Sequence, residues 1–354
     1  MRRVFVALLV SATLFAACAG PAATSPSPAA SSIAQATPKP PKDKVTLTGI
    51  NSTELNLPTL VAIAKDYFGE ENIELGEFVI GSSGTLRQGM IAKQYDFGLY
   101  AFVHVPIARL AGSPFKSIIE LHDQEIFGLV VRTQLKDQVR TVKDLKGRKI
   151  GFTTPGSGTW ALGNVYLKKA GLDPDKDAEL VSLGGDNAVF YTALQSGRVD
   201  AIVSFEPIAE KVIADNVGYF LLDIYASGQH RDQIGSDKAA ALHLVTREDV
   251  IASKPDLVKR MVNVQKKGLD FIRGNSASAI ADLIMGNTAS AAQFQGFDKS
   301  LVTKVIDHIK SGFGTGCISK SGFDTEMKIA TDYKLVSAPI TFDQFADTTF
   351  AGAC

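Results

Sequence analysis

Apolar and polar residues alternate in short runs from residue 45 onward, and stretches with apolar residues at helical spacing separate most of these runs. The alternation over Val45–Ile50 predicts a β-strand, whereas the spacing of apolar residues over 57–68 predicts an α-helix. Further strands are predicted at 74–80, 96–100, 117–121, 127–132, 149–152, 180–183, 201–204, 219–222 and 239–245. Strands that alternate with helices predict an α/β fold with mainly parallel sheets and crossover connections.

The predicted elements form two successive rounds with the same plan. In each round, a strand leads into a loop rich in Gly, Ser and Thr, then a helix, then a short strand that carries an aspartate. The first round has Gly81–Thr85 before Asp96, and the second has Gly156–Thr159 before Asp200. The chain is then almost entirely helical over 250–334. Two similar lobes predict a two-lobed clamshell, with a ligand cleft beyond the carboxyl ends of the strands.

Domain boundaries follow from this plan. The first lobe is predicted to comprise 45–130 and, after the chain returns, 236–354 with the carboxyl-terminal helices. The second lobe is predicted to comprise 131–235. Because the chain crosses between the lobes twice, we expect hinges near Gly128–Arg132 and Gln233–Ala239, about which the second lobe closes on a solute held by the first.

The first 44 residues differ in composition from the rest. Residues 1–17 contain two arginines, a short apolar run and small residues at the end, which is typical of a secretory signal peptide. The position of Cys18 directly after the small residues resembles a bacterial lipobox, and that resemblance implies cleavage before Cys18 and its lipidation. An ordinary signal peptide with an incidental cysteine is the alternative. Residues 18–44 are rich in Ala, Ser, Thr and Pro, which predicts a disordered tether to the membrane.

Charge and composition exclude several kinds of partner. The chain has 37 basic and 37 acidic residues, and no basic patch stands out, so nucleic acid is not an expected partner. An apolar content of 45% is typical of a soluble globular protein. The five histidines show no metal-ligand spacing, and we expect neither a metal nor a cofactor.

Two cysteines remain once Cys18 is assigned to lipid. Cys317 and Cys354 would most simply form one disulfide in an oxidising compartment, which would hold the carboxyl terminus against the body of the protein. A metal pair or a catalytic thiol is the alternative for these cysteines.

Two hydroxyl-rich loops are the strongest candidates for ligand binding. Each lies between a strand and a helix, so its backbone amides belong to a helix amino terminus, which attracts anions. Glycine in each loop allows a ligand to approach the backbone. The alternative is that the Ser and Thr side chains only cap their own helices. The loops contribute Ser83, Gly84 and Thr85 in the first round and Ser157, Gly158 and Thr159 in the second.

Several motifs, in this order and spacing, resemble the nitrate/taurine/sulfonate class of ABC-importer binding proteins. They are Gly89–Phe97, Lys146–Gly151, Pro155–Thr159, Lys169–Pro174, Ala193–Ala201 and Phe205–Ile208. The resemblance covers roughly 45–235 and is loose beyond residue 250. It implies a type II periplasmic-binding-protein clamshell with two crossover connections, which binds a small solute and delivers it to an ABC permease and its ATPase.

The resemblance also implies where the solute is contacted. Trp160 would either cover an apolar part of the ligand or pack in the core. Glu206 would suit a ligand with an amine, although the helix dipole alone favours a carboxylate there. The expected contacts are Asn51, Ser52, Ser83, Gly84, Thr85, Tyr100, Phe102, Gln124, Ser157, Gly158, Thr159, Trp160, Asn187, Ser204 and Glu206.

The expected function is therefore that of an extracytoplasmic solute-binding lipoprotein, monomeric and not an enzyme. Its lipid on Cys18 would hold it at the cell membrane, on the periplasmic face or the outer surface. The expected solute is a small organic anion such as a sulfonate or carboxylate. One alternative is a ligand-sensing lobe for a membrane receptor. Another is an enzyme like the thiamine-pyrimidine synthases, which are similar in outline but carry a cysteine-rich signature that this chain lacks.

Overall fold

Two five-stranded sheets form the framework, in a computed structural model that describes residues 41–354. The first sheet consists, in spatial order, of β2 (Ile73–Ile80), β1 (Asp43–Gly49), β3 (Phe97–Ala101), β10 (Leu242–Arg247) and β4 (Phe115–His122). The second consists of β7 (Glu179–Ser182), β6 (Lys149–Phe152), β8 (Ala201–Ser204), β5 (Gly128–Arg132) and β9 (Gly218–Leu222). We call each sheet with its helices a lobe, and the α/β fold with two lobes is confirmed.

Each sheet is mixed rather than mainly parallel. In the first sheet β1 pairs in parallel with β2 and β3, whereas β10 runs antiparallel to β3 and β4. In the second sheet β5 runs antiparallel to β8 and β9. The reversed strands are the two that follow the crossings between lobes. Leu242, the first residue of β10, lies opposite Ala101, the last residue of β3. In the same way Gly128, the first residue of β5, lies opposite Ser204, the last residue of β8.

The chain crosses between the sheets over 123–127 and again over 223–241. The predicted hinge at Gly128–Arg132 is therefore misplaced, because these residues form a buried strand of the second sheet. The apolar run at 127–132 predicts a strand, but its sheet is decided by pairing with distant residues. The other predicted hinge, Gln233–Ala239, lies within the second crossing.

The helices of the two rounds flank the sheets. The first lobe has α1 (Thr53–Ala64), α2 (Tyr67–Glu70), α3 (Ser83–Ile91) and α4 (His104–Leu110). The second has α5 (Gly158–Lys169), α6 (Asn187–Gln195) and α7 (Ile208–Ala214), and α8 (Gln229–Ile234) lies in the second crossing. The carboxyl-terminal helices are α9 (Glu248–Ser253), α10 (Pro255–Gly274), α11 (Ala277–Met285), α12 (Thr288–Ala291), α13 (Lys299–Ile309), α14 (Lys320–Asp332), α15 (Phe342–Phe345) and α16 (Thr348–Ala351).

The predicted signal peptide, the predicted lipidation site Cys18 and the predicted tether up to residue 40 lie outside the described residues. The fold begins with β1 at Asp43, two residues before the predicted start. None of the helices within 41–354 combines the length and the apolar character that a membrane span requires.

The carboxyl terminus is held against the first lobe by a disulfide between Cys317 and Cys354, as predicted. The Cα atoms of the two cysteines are 5.6 Å apart. Two bridges to the terminal segment accompany the bond, one between Ile318 and Ala353 and one between Ser117 and Ala346. The last helices therefore pack on the first sheet instead of leaving the body.

Replacement of both cysteines by serine, Cys317→Ser with Cys354→Ser, should lower the free energy of unfolding by about 3–4 kcal/mol on the chain-entropy model. The reason is that the bond closes a loop between residues 37 apart in sequence and so restricts the unfolded chain. Urea unfolding with and without reductant measures this difference. Reductant should destabilise the wild type and leave the double variant unchanged; equal midpoints for the two proteins without reductant would contradict the expectation.

A pair of buried carboxyl groups lies beneath the first crossing. Glu125, in the crossing, is within hydrogen-bonding reach of Glu326 on α14, and both side chains are almost fully buried. The backbone N–H of Glu125 also donates to His230 Nε2 from the second crossing, at 2.8 Å. Burial raises the pKa of both carboxyl groups, and the proximity of Glu125 raises the pKa of Glu326 further. The folded protein therefore holds a proton here that the unfolded chain releases at lower pH.

The free energy of unfolding should fall as the pH rises above about 4.5, the usual pKa of glutamate, because the unfolded chain loses this proton first. In Glu326→Gln the amide N–H replaces the carboxyl O–H as the hydrogen-bond donor, and its proton is not released as the pH rises. The stability of this variant should therefore fall less between pH 5 and pH 8 than that of the wild type, by on the order of 1–2 kcal/mol.

Urea unfolding at the two pH values tests this expectation. Asp324→Asn, an exposed carboxylate on the same helix that pairs with Lys320, is the matched control and should keep the wild-type slope. Buried carboxyl groups that do not interact with the pair, such as Glu54, contribute equally to all three proteins. A wild-type slope in Glu326→Gln would show that the pair does not share a proton.

Candidate functional site

The two hydroxyl-rich loops face each other across the cleft between the lobes. Ser82 caps α3 and Ser157 caps α5, each accepting a backbone N–H of the first turn with its side-chain oxygen. Ser82 Oγ lies 3.4 Å from Thr154 Oγ1 of the opposite lobe. A methyl group on Gly84 would approach Thr154 Oγ1 to 2.9 Å, so glycine allows this close approach. The predicted meeting of the loops at one cleft is present in the structure.

A small cavity of about 10 Å³ lies between the lobes at this point, and we call it the first cavity. Four of the predicted contacts line it: Ser83, Tyr100, Gly158 and Thr159. Its volume gives room for about one water molecule. An organic solute would therefore require the lobes to separate or the lining side chains to move.

The hydroxyl groups of the second loop bond mainly to one another. Thr159 Oγ1 accepts the N–H of Thr153 at 3.0 Å and lies 3.0 Å from Ser157 Oγ. Ser157 Oγ also accepts the N–H of Trp160 at 3.2 Å. Both side chains are buried. The geometry here is the capping arrangement that was the alternative to ligand contact, although Thr159 still lines the first cavity.

Arg87 joins the lobes behind the first cavity and was not predicted. Its Nη1 donates to Gly156 O of the second lobe at 3.0 Å and lies 2.9 Å from His104 Nδ1. The residue is only 7% exposed, and its Nε has no hydrogen-bond partner among the described residues. The sequence did hold a signal, because Arg87 follows Ser83 by four residues and so shares its face of α3.

His104 lines the first cavity, which Arg87 does not, and supplies a second donor without a partner among the described residues. Burial, and then the charge of Arg87, hold the pKa of His104 well below its usual value, so the ring is neutral. Because Nδ1 accepts from Arg87, the proton is assigned to Nε2, which has no partner within the described part of the chain. Two buried donors, Arg87 Nε and His104 Nε2, therefore lie at the cleft.

A second cavity of about 10 Å³ lies beside the crossings and is lined by two further predicted contacts, Ser204 and Glu206. Here His308 Nδ1 lies 3.0 Å from Glu206 Oε1, and His308 Nε2 lies 3.1 Å from Asp223 Oδ1. Burial opposes the charge on His308, but the hydrogen bonds with Asp223 and Glu206 raise its pKa to about 10. Glu54 of α1 accepts the backbone N–H of Glu206 at 2.8 Å.

Burial and the neighbouring Glu206 raise the pKa of Glu54 to about 8. Within the described residues, Glu206, Glu210 and His308 form a group that could hold a metal ion. The expectation of no metal rested on histidine spacing alone. A site whose glutamates lie about one hundred residues from its histidine leaves no such spacing in the sequence.

The remaining predicted contacts line neither cavity. Asn187 Nδ2 donates to Asn51 O at 3.1 Å and so joins the lobes. Phe102 packs against Phe323 of α14 and Phe345 of α15. Ser52 caps α1, and Thr85 is exposed. The other four are partly or fully buried in their loops and first turns: Gly84, Gln124, Ser157 and Trp160.

Replacement of Gly158 by alanine should weaken the contact between the lobes. An added Cβ would lie 2.5 Å from the Phe127 ring and 2.9 Å from Ala101 Cβ of the first lobe. We expect a loss of about 1–3 kcal/mol in unfolding free energy and a larger radius of gyration in solution scattering. Gly274→Ala, where a Cβ meets nothing within 4 Å, is the control. Unchanged stability and dimensions would show that the lobes do not need this close approach.

Comparison with solved structures shows the same fold in distant proteins. A protein of Bordetella bronchiseptica RB50 matches 88% of this chain and 96% of its own, with a TM-score of 0.76 and 22% identity. The alkanesulfonate-binding protein SsuA from Xanthomonas axonopodis pv. citri, bound to MOPS, matches 85% of this chain and 96% of its own, with a TM-score of 0.65 and 15% identity. The predicted type II periplasmic-binding-protein fold is confirmed.

Sequence comparison gives a relative with a different description. A 4-amino-5-hydroxymethyl-2-methylpyrimidine phosphate synthase of Aspergillus parasiticus is 23% identical over 259 residues, which are 68% of this chain and 70% of the relative. The NMT1/THI5 like family matches residues 56–279, more than half of the chain. The chain therefore belongs to the NMT1/THI5 like family.

Proposed function

We propose that this chain is the extracytoplasmic solute-binding protein of an ABC importer, and that the first cavity receives the anionic group of a small organic solute. The observation that carries the proposal is His104 Nε2, a buried donor that belongs to the lining of the first cavity and has no partner among the described residues. Arg87 contacts the same ring through Nη1, and its Nε likewise has no partner there. A buried donor that lacks a partner costs about 1–3 kcal/mol. An oxyanion such as a sulfonate or carboxylate would accept from His104 Nε2, and hinge motion of the lobes would let Arg87 Nε donate to it as well.

The loops around the first cavity support an anion as well. The amino termini of α3 and α5 both face the cleft, so two helix dipoles place partial positive charge there. Ser83 adds a buried hydroxyl to the lining. Ser204 and Glu206 would reach the solute only if it extended past the Phe127 and Phe205 rings, whose centres are 6.4 Å apart.

Delivery of a solute to a permease would require the lobes to open and close. The volume of the first cavity admits no organic molecule, so the lobes must separate for a solute to enter. The crossings at 123–127 and 223–241 are the segments that join them, and hinge motion there would expose the donors. Lipidation at Cys18 and a permease with its ATPase as partners remain part of this proposal, with the protein held as a monomer at the membrane.

A second candidate function is supported by the synthase of Aspergillus parasiticus. The described residues offer no free thiol for such chemistry, because Cys317 and Cys354 form the disulfide. A synthase would convert its ligand, whereas a binding protein returns it unchanged. Mass analysis of pyrimidine-precursor mixtures after incubation with the protein separates the two functions.

A thermal-shift screen of taurine, alkanesulfonates, nitrate, aromatic carboxylates and pyrimidines tests the proposed solute class. A solute at 100 to 1,000 times its dissociation constant should stabilise the protein by about 2.7–4.1 kcal/mol. Arg87→Met should weaken binding of the same solute by about 10- to 100-fold, because a charge-assisted hydrogen bond contributes about 1.5–3 kcal/mol.

Arg140→Met is the matched control, since Arg140 is an exposed arginine of the second lobe. It should bind the solute as the wild type does. A solute that binds equally to the wild type and Arg87→Met would place the anion elsewhere. Stabilisation only by neutral or cationic compounds would overturn the proposed solute class.

A further inference from the structure

The second cavity holds a group of side chains that solute binding leaves unexplained. Three carboxylates surround one imidazole: Glu206 and Glu210 on the side of Nδ1, and Asp223 on the side of Nε2. In the part of the chain that the structure describes, the ion pairs of these carboxylates are all with His308. Three acidic groups around one basic group leave an excess of negative charge, which one divalent cation would offset.

Within this group the distance between His308 and Glu210 matches a tetrahedral ion, and the distance between His308 and Glu206 is somewhat shorter. His308 Nδ1 lies 3.0 Å from Glu206 Oε1 and 3.6 Å from Glu210 Oε1, and the three ligand atoms all lie within 4.8 Å of one another. An ion with tetrahedral bonds of about 2.0–2.2 Å holds its ligand atoms about 3.3–3.6 Å apart. We propose that Glu206, Glu210 and His308 bind a divalent metal ion, with Zn²⁺ the best match to one nitrogen and two oxygen ligands.

Asp223 occupies the place of an outer partner for such a site. Histidines that bind a metal through one ring nitrogen usually donate the other ring N–H to a carboxylate. His308 Nε2 lies 3.1 Å from Asp223 Oδ1. This contact orients the ring so that Nδ1 faces the two glutamates. On binding, Nδ1 releases its proton to solvent and donates its lone pair to the ion.

Ser204 gives independent support for a ligand at this position. Its side chain is only 1% exposed, lines the second cavity beside Glu206 and His308, and its Oγ has no hydrogen-bond partner among residues 41–354. A water molecule bound to the ion would supply that partner as the fourth ligand. The cavity volume of about 10 Å³ is that of about one water molecule, so it suits a water bound to an ion held between the side chains and not an organic group.

The ion would join the two lobes, and this role does not depend on the identity of the solute. Glu206 and Glu210 follow β8 in the second lobe. His308 lies on α13, a carboxyl-terminal helix that packs against its neighbour α11 and also contacts α7 of the second lobe. Separation of the lobes would break the ligand set. An ion bound here therefore stabilises the arrangement in which the lobes are together.

The test is equilibrium dialysis of the metal-free protein against buffered Zn²⁺, followed by metal analysis and X-ray absorption. The wild type should retain one ion with nitrogen and oxygen ligands at about 2.0–2.1 Å. Glu210→Gln, at a half-buried position, should weaken retention at least about tenfold, and Asp223→Asn by about 10- to 100-fold. Small-angle scattering should show a smaller radius of gyration with zinc than without it.

Asp215→Asn, just beyond α7, is the control because Asp215 pairs with Lys211 and Tyr191 rather than with the group around His308. It should retain zinc as the wild type does. Failure of the wild type to retain one equivalent at micromolar free zinc would overturn the proposal. Equal retention by the wild type and both site variants would overturn it as well, by showing that the ion binds elsewhere.

Discussion

The whole arrangement depends on where the chain crosses between its sheets. Four strands of each sheet run toward the same edge, and both crossings leave from that edge. The next strand must then start where the others end, which is why β5 and β10 run in reverse. As a result, the carboxyl ends of both sets of strands, and the amino termini of the helices that follow them, face one cleft.

The cleft collects polar groups that would be costly in an ordinary core. Arg87 and His104 lie on one side, and Glu206 with His308 and Asp223 lies near the crossings. Between these two groups the lobes touch through apolar residues such as Phe127 and Phe205. Backbone contacts also join the lobes there, including Thr53 N–H to Glu206 O at 2.7 Å. A cleft of this kind is held together by few strong polar contacts, so a ligand or ion that adds to them can shift the balance between open and closed lobes.

The two cavities have opposite chemistry. His104 Nε2, a donor without a partner in the described part of the chain, belongs to the first cavity, whereas an excess of carboxylates lies at the second. Of the predicted contacts, Ser83, Tyr100, Gly158 and Thr159 line the first cavity, whereas Ser204 and Glu206 line the second. The cationic partner expected for Glu206 in a ligand is supplied within the protein by His308.

The sequence by itself determined the features that depend on near neighbours and on composition. These include the alternation of strands and helices, the two capped loops, and the pairing of the two remaining cysteines. Only the tertiary structure decided the direction of β5 and β10, the contact of Arg87 with Gly156, and the meeting of Glu206 with His308. Arg87 and Gly156 are 69 positions apart in the chain, and Glu206 and His308 are 102 positions apart. Such contacts arise from how the lobes pack, and no local pattern records that packing.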